Sequence, residues 1–412
     1  MTKLVIPALV SKPARCRLVG LLISAVTLLA TGTLSAQEGR RSLVPVSGLM
    51  VPDSIPLTYV EQLITRADGS VFLIDRRTDG VLAFDADGEY QRRIGRQGEG
   101  PGELLSPWRL GLLGQDTLWV VDAGRPRVNF YDASTGAGLA DLGPARWEDA
   151  AAGGEPLRPF AVLADHSVAA FRWAERDVRA ELLAFHMMGP PPYTKNGPLA
   201  VLDVRDRSLA IPVPAGGGGL KLRNPYSYSD MLAIDGLGTH FVLVRRPEPT
   251  GSYASFIVEL HDVRQVATDT LRVPYTARPV ESEDIRVWAE ELGPVERMVE
   301  LGVFPSRVAG VAAVLNALDE PQYYPPVRNR GRGILEDGVL IDAGAAVWLQ
   351  IPNNAGRTND WLVVSNNGHV SYVVVPDGAR LLAVRGDRVW AEMRDGFGVP
   401  SVRVLEVPPS GK

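Results

Sequence analysis

A repeat with fixed landmarks constrains the fold of this chain more than any other feature. Residues 68–95 and 115–143 share landmarks that stay 47 or 48 positions apart, and these are Asp75 with Asp122, Asp85 with Asp132, and Gly95 with Gly143. In both copies, short runs rich in Val, Ile, Leu, Phe, Tyr and Trp are separated by turn residues, as in antiparallel strands joined by tight turns. Four such strands in about 45 residues form a sheet the size of one propeller blade.

The rest of the chain contains weaker copies of the same unit. A third blade is expected within 159–204, a fourth within 230–275, a fifth within 332–378 and a sixth within 381–407. The sixth copy has only three strands, and the N-terminal stretch 43–51 supplies the missing outer strand. Because this pairing joins the two ends of the chain, it closes the ring and removes exposed sheet edges. The sequence therefore predicts an all-β, six-bladed β-propeller over residues 43–407.

One segment between blades four and five departs from the strand pattern. From about 281 to 320, apolar residues such as Ile285, Trp288 and Leu292 recur at helical spacing, and Ser282 is a suitable N-cap. We expect a small helical insertion here, either as a cap over one face of the ring or as a peripheral packing element. The stretches 189–197 and 215–219 are predicted to be surface loops.

The N-terminus has the pattern of a Sec-type signal peptide over residues 1–36. Basic residues precede the thirteen-residue apolar run Leu18–Ala30, which is shorter than the about 20 residues of a membrane span. Cleavage is expected after Ala36, and a retained N-terminal anchor is the alternative. The only cysteine, Cys16, precedes the apolar run, so a lipoprotein anchor is not expected. These features predict a periplasmic or extracellular protein without stable membrane insertion after cleavage.

Three stretches resemble a known family. The sequences VVDAGRPRVNFYDASTG (120–136), IGRQGEGPGELLSPWRL (94–110) and VWAEMRDGFGVPSVRVLEV (389–407) are similar to exported bacterial six-bladed β-propellers related to NHL-repeat proteins. Leu104 stands where that family usually has phenylalanine, which is a conservative difference. The resemblance implies architecture and export, and it implies no particular activity.

The glycine-rich stretch 94–104, IGRQGEGPGEL, invites comparison with phosphate-binding loops. A Walker loop needs Lys and then Ser or Thr after its last glycine, but Pro101 and Gly102 follow Gly100. A dinucleotide-binding loop must open a helix, whereas Ser106 and Pro107 lead into another predicted strand. The pattern therefore indicates a connector between blades one and two.

Charged residues near this connector form the candidate binding site. Connections between blades and loops between the second and third strands of each blade share one face of the ring, and the residues expected there are Arg76, Arg77, Arg96, Glu103, Arg125 and Arg127. Several arginines around a channel mouth suit an anionic ligand or the carboxylates of a partner. The alternative is that they are solvated or pair with the aspartates and glutamates nearby.

The sequence predicts a binding or scaffolding protein, expected to be a monomer. The partner is expected to be a protein, a peptide or a small anionic ligand, and the formal net charge of −5 gives no footprint for nucleic acid. No catalytic residues, metal ligands or cofactor are predicted, because the five histidines show no ligand spacing and no G-x-S-x-G elbow is present. The alternative is a lactonase-like hydrolase or lyase with Ca²⁺ or Zn²⁺ in the central channel.

Overall fold

The computed structural model describes most of the chain from residue 40 onward. The described residues are 40–143, 157–175, 179–186, 194–204, 208–212, 219–223, 228–265, 267–281, 283–284, 299–300, 304–306, 308–310, 312–313, 338–352 and 359–406. By its contacts the chain divides into Met1–Glu38 and Gly39–Lys412, and all described residues belong to the second unit. The predicted signal peptide lies outside the described residues.

The described chain begins with two N-terminal strands, followed by two four-stranded blades. The strands are β1 (Arg40–Ser42), β2 (Val44–Gly48), β3 (Val60–Thr65), β4 (Val71–Asp75), β5 (Val81–Phe84), β6 (Tyr90–Ile94), β7 (Arg96–Gln97), β8 (Glu103–Leu104), β9 (Pro107–Leu113), β10 (Thr117–Asp122), β11 (Arg127–Asp132) and β12 (Gly138–Leu142). Blade 1 is the antiparallel sheet β3–β6, and blade 2 is β9–β12. The short pair β7 and β8 belongs to the connector between them.

Blades 3 and 4 follow the same strand order, with a hairpin between them. The strands are β13 (Arg158–Val162), β14 (Ser167–Glu175), β15 (Arg179–His186), β16 (Thr194–Asp203), β17 (Ser208–Pro212), β18 (Gly219–Arg223), β19 (Met231–Ile234), β20 (His240–Arg245), β21 (Tyr253–Asp262) and β22 (Ala267–Thr276). Blade 3 is β13–β16, blade 4 is β19–β22, and β17 pairs with β18. The sequence does not predict this hairpin; of the surface loop predicted over 215–219, residues 215–218 lie outside the described residues and Gly219 begins β18. The surface loop predicted over 189–197 is wrong at residues 194–197, which belong to β16.

The last strands complete the ring. They are β23 (Val339–Ile341), β24 (Val347–Pro352), β25 (Asn359–Val364), β26 (Val370–Val375), β27 (Arg380–Arg385), β28 (Arg388–Arg394) and β29 (Pro400–Glu406). Blade 5 is β23–β26, and β27–β29 form the inner three strands of blade 6. The N-terminal β2 pairs antiparallel with β29 as the outer strand of blade 6. The six-bladed architecture and its closure by the two ends of the chain are confirmed.

The N-terminal segment also pairs with blade 5, which the sequence did not predict. Strand β1 pairs in parallel with β26, the outer strand of blade 5, before the chain passes to blade 6. Leu43, between the two pairings, donates its N–H to the Val374 carbonyl at 2.9 Å and is buried between blades 5 and 6. One short segment therefore joins two neighbouring blades.

Apolar side chains fill the wedges between blades, as radial sheets require. Core clusters join blade 1 to blade 2, blades 2 and 3 to blade 4, blade 4 to blade 5, blade 5 to blade 6 and blade 6 to blade 1. Strands β4 and β5 are buried at every position because their sheet is covered on both sides. Removal of this apolar surface from water is the main force that holds the blades together.

The up-and-down order gives the ring two faces. The face that carries the blade connections and the loops between the second and third strands of each blade is called the upper face. The lower face carries the turns between first and second and between third and fourth strands. Every described inner strand runs from the upper to the lower face, so residues at its start lie near the upper opening of the channel.

The predicted helical insertion at about 281–320 falls mostly outside the described residues. Within it, described helical residues are 283–284, 299–300, 308–310 and 312–313. Among the residues that the structure describes, no helix has the length and apolar character that a membrane crossing requires.

Candidate functional site

The repeated aspartates fix the entry to the inner strands of blades 1 and 2 at the upper face. Asp75, the last residue of β4, accepts hydrogen bonds from the Thr58 and Tyr59 N–H groups at 2.8 and 2.7 Å. Asp122, the last residue of β10, accepts equivalent bonds from Leu105 and Ser106 at 2.9 and 2.8 Å. The landmarks that revealed the repeat therefore hold the chain around the channel opening.

At the position that Asp75 occupies in blade 1, blade 6 has the longer carboxylate side chain of Glu392. Glu392 pairs with Arg380 across β27 and β28, as Asp75 pairs with Val60 across β3 and β4. Its Oε2 accepts the Val60 N–H of the next blade at 3.1 Å and the Arg380 guanidinium at 2.6 Å, and Oε1 accepts Arg394 at 2.6 Å. Because Arg394 also donates to the Thr58 carbonyl at 2.9 Å, these charges join the last blade to the first.

A β-bulge recurs near the start of several inner strands. The strand register shifts at Glu61 in blade 1, at Trp108 in blade 2, at Phe160 in blade 3 and at Leu382 in blade 6. A bulge bends the strand locally and changes the direction of its side chains. Glu61, Trp108 and Leu382 line the channel at these bulges.

Arginines and aromatic rings alternate around the upper opening. The guanidinium carbons of Arg76 and Arg380 lie 4.7 and 4.2 Å from the centroid of the Tyr59 ring. Arg109 lies over Trp108 at 5.5 Å and over Phe160 at 4.8 Å. Such stacking is favourable and fixes the plane of each guanidinium group. We call the set Tyr59, Glu61, Arg76, Trp108, Arg109 and Arg380 the channel mouth.

The channel mouth has an excess of positive charge. Glu61 is its one carboxylate, and it accepts a hydrogen bond from Arg76 Nε at 2.6 Å. Glu392 lies behind the mouth and pairs with Arg380. The three arginines of the mouth therefore face one carboxylate of the same set, in a chain whose formal net charge is −5.

The mouth opens on a cavity of about 750 Å³ along the ring axis. The inner strands of blades 1, 2, 4, 5 and 6 contribute to its wall. Asp235 on the blade 4 side accepts hydrogen bonds within its own turn, from the N–H groups of Leu237, Thr239 and His240. Asp235 belongs to a lower-face turn. Among the described residues that line the cavity, the charged side chains near its upper end come from blades 6, 1 and 2 and are Arg380, Glu61, Arg76 and Arg109.

The residues predicted as a binding face are divided by the structure. Arg76 lies at the channel mouth, and Arg77 is exposed in the same loop. Arg96 is exposed and pairs with Glu103 at 2.7 Å in the connector between blades 1 and 2. Arg125 is half exposed and lies 3.7 Å from the Glu99 carboxylate.

Arg127 differs from the exposed arginine that the sequence suggested. Its side chain is 3% exposed and pairs with the fully buried Asp122 at 3.3 Å. It donates to the carbonyls of Glu99 and Gly100 at 3.0 and 3.1 Å, and to those of Gly98 and Glu103. Arg127 therefore organises the glycine-rich connector from beneath.

Glu103 completes the connector. The Gly100 N–H donates to its Oε2 at 2.8 Å, and this bond together with Arg96 holds the pKa of Glu103 below its usual range. A Cβ on Gly98 would lie 2.0 Å from that same oxygen, and its φ of +152° also favours glycine. The glycines of IGRQGEGPGEL thus serve chain geometry, as the sequence predicted.

No group of three His, Cys, Asp or Glu side chains comes together for a metal within the described part of the chain. His240 contacts Asp235, whose hydrogen bond raises the pKa of the imidazole. His261 stacks on Phe241 with centroids 4.3 Å apart, and burial lowers its pKa. Both histidines are explained by their local contacts in blade 4.

Sequence reasoning missed most of the channel mouth. Tyr59, Arg109 and Arg380 were not candidates because nothing in their local sequence distinguishes them from ordinary strand residues. Arg380 and Tyr59 are 321 positions apart and meet only when the ring closes. The available signal was positional, since Arg380 begins the inner strand of blade 6 and Tyr59 immediately precedes that of blade 1.

Comparisons with known proteins agree with the architecture. The model of a family described as 6-bladed beta-propeller (DUF5128) matches residues 48–138, and no curated protein matches the sequence.

Among solved structures, a "Putative exported protein" from Bacteroides fragilis is 10% identical with a TM-score of 0.46, covering 89% of this chain and 95% of its own. A member of the duf4221 family from Bacteroides vulgatus is 9% identical with a TM-score of 0.41, covering 91% and 100%. Virginiamycin B lyase from Staphylococcus aureus is 10% identical with a TM-score of 0.39, covering 88% and 98%. At these sequence identities and TM-scores, the solved structures assign no ligand or activity to this chain.

Proposed function

We propose that this chain is an exported binding protein whose channel mouth takes a small anionic ligand. The observation that carries the proposal is the alternation of Arg76, Tyr59, Arg380, Trp108 and Arg109 around one opening of the channel. Stacked guanidinium groups are pre-oriented, so less side-chain entropy is lost when they bind a ligand. Their planar forks match the geometry of carboxylate and phosphate.

The size and charge of the site support a small ligand among the partner classes that the sequence left open. A cavity of about 750 Å³ lies within the range of small-molecule sites. Against the three arginines stand Glu61, which pairs with Arg76, and Glu392, which pairs with Arg380, so the positive charge of the opening is in excess by one. This excess attracts anions and strengthens their contacts where solvent is partly excluded.

The test is calorimetric titration of the signal-free protein with phosphate, citrate and tetraglutamate, with glycerol and tetraglutamine as uncharged comparators. At least one anion is expected to bind, with an affinity that falls as salt is added. Arg109→Gln should weaken that binding about tenfold or more, because a charge-assisted hydrogen bond contributes about 1.5–3 kcal/mol.

Arg264→Gln is the matched control, because Arg264 is exposed in a lower-face turn of blade 4. It should leave the affinity unchanged. Absence of binding by all three anions, or equal affinities for Arg109→Gln and the parent protein, would contradict the proposal.

A further inference from the structure

A turn from blade 4 crosses the lower end of the channel. The turn, 235–238, joins β19 to β20, and its Gly236 carbonyl accepts the Leu112 N–H of blade 2 at 2.7 Å. Leu237 packs against the core cluster that joins blades 1 and 2. The turn therefore leaves its own blade and lies against the inner strands on the other side of the channel.

Glycines on both sides make this close approach possible. A Cβ on Gly111, in the inner strand of blade 2, would lie 2.8 Å from the Gly236 carbonyl oxygen, and a Cβ on Gly236 would lie 3.2 Å from the Ile64 side chain of blade 1. Glycine within a strand often marks a site where another backbone comes close. The turn therefore obstructs the approach to the cavity from the lower face.

Between the channel mouth and this turn, the wall on the side of blades 4, 5 and 6 is aliphatic. The partly exposed side chains that line it, and that also pack against the core clusters, are Ala233, Ile234, Leu340, Ile341 and Ala383. Among the described lining residues, blades 4 and 5 add one charged side chain, Asp235, which accepts hydrogen bonds within its own turn. This wall therefore offers apolar contact to a ligand.

The longer polar side chains below the mouth bond to the backbone of the wall itself. Gln62 Oε1 accepts the Leu110 N–H at 2.9 Å, and Arg385 donates to the Thr65 carbonyl at 3.3 Å. At the lower end of the described lining, Arg385 and Asp235 contribute one charge of each sign. The excess of positive charge therefore stays at the upper end, where three arginines stand against two glutamates.

We infer that the site takes an amphiphilic monoanion, a medium-chain carboxylate, with its charged head at the channel mouth and its apolar body in the channel below. The inference rests on the proposed function, since the mouth must bind the head, and it adds the class of ligand. An apolar body removes the aliphatic wall from water, which a wholly hydrophilic anion does not. A single excess positive charge favours one negative charge on the ligand over several.

The blade 4 turn limits the length of that body. The inner strand of blade 1 rises about 10 Å over the three residues from Glu61 at the mouth to Ile64 at the turn. The extended tail of octanoate is of similar length. A longer chain must bend or leave its end outside the cavity.

Calorimetric titration of the signal-free protein with acetate, butanoate, hexanoate, octanoate and dodecanoate tests this inference. The affinity should rise about fourfold with each added methylene group as far as octanoate, since each group leaves water for the aliphatic wall. Dodecanoate should bind no more tightly than octanoate, because the turn blocks the end of its chain. Arg109→Gln should weaken hexanoate and octanoate by the same factor, because both place the carboxylate at the mouth.

Leu340→Gln tests the wall directly. It should weaken octanoate about fivefold or more, because an amide replaces an aliphatic contact, and it should leave butanoate unchanged. Ala383→Leu, which fills part of the channel, should have the same selective effect. Leu139→Gln is the matched control, because Leu139 is 56% exposed on the outer strand of blade 2, and it should bind both carboxylates as the parent protein does. Unchanged butanoate binding also shows that each variant is folded.

The outcomes separate this inference from the proposed function. If anions bind in a manner that depends on Arg109 but chain length has no effect, the amphiphilic ligand is refuted and the proposed function stands. If no carboxylate, phosphate or citrate binds, both are refuted. An affinity that keeps rising through dodecanoate would contradict the limit set by the turn, and equal octanoate affinities of Leu340→Gln and Leu139→Gln would contradict the apolar wall.

Discussion

Replacement of Arg127 by methionine tests the role that the structure gives to this arginine. Methionine keeps an apolar stem of similar length but removes the charge that pairs with buried Asp122 and the donors to four connector carbonyls. Removing one partner of a buried ion pair costs about 3–5 kcal/mol, since the other charge stays buried. With an unfolding entropy of about 2.1 cal/mol/K per residue, the thermal midpoint should fall by about 4–6 °C.

Arg125→Met is the control for that experiment, because Arg125 lies in the same loop but is 46% exposed and 3.7 Å from Glu99. An exposed pair of this kind contributes about 0.5 kcal/mol or less, so its midpoint should fall by about 1 °C at most. Differential scanning calorimetry of both variants measures the contrast. Equal midpoints for Arg127→Met and Arg125→Met would show that Arg127 does not support the connector.

Three further outcomes are expected. Deletion of residues 37–48 removes β1 and β2, exposes the edges of blades 5 and 6, and should lower the thermal midpoint by more than about 5 °C. Hydrogen bonds from Ser134 and Thr135 lower the pKa of Asp132 to about 2, below its unfolded value of about 3.9. The carboxylate therefore stabilises the fold above pH 4, and this contribution is lost as the pH falls through 2. Asp132→Asn should be less stable than the parent protein at pH 6, and in urea titrations the difference should become small as the pH is lowered to about 2. Elemental analysis after dialysis against a chelator should find well under one equivalent of calcium or zinc, and a retained stoichiometric metal would instead favour a channel enzyme.

The parts of the fold that follow local turn chemistry were predictable. Asp75 and Asp122 recur because each must cap the entry to an inner strand, and that requirement leaves a regular mark in the sequence. The three-strand sixth copy predicted that β2 would complete blade 6. Strand β1 was not predictable, because three residues that add in parallel to an already complete blade leave no periodic signal.

The candidate site was predicted less well because its contacts depend on ring closure. The sequence predicted Arg76 as a site residue because it lies beside a repeated aspartate. It did not predict Arg380, because the residues that Arg380 contacts, Val60 and Tyr59, come from the other end of the chain. Arg127 looked equivalent to Arg125 in sequence, yet strand β11 places it beneath the connector and buries it.

The channel mouth lies where the repeat is broken, and this has a physical reason. A tight lower-face turn constrains its residues, so aspartate caps such as Asp85 and Asp132 recur there. The upper-face loops carry fewer such constraints and can differ from blade to blade. At the junction of blades 6 and 1, Glu392 replaces the shorter aspartate and reaches Val60 of the next blade. Glu392 also pairs with Arg380, whose guanidinium lies over Tyr59, so the groups offered to an anion are held by contacts that join the last blade to the first.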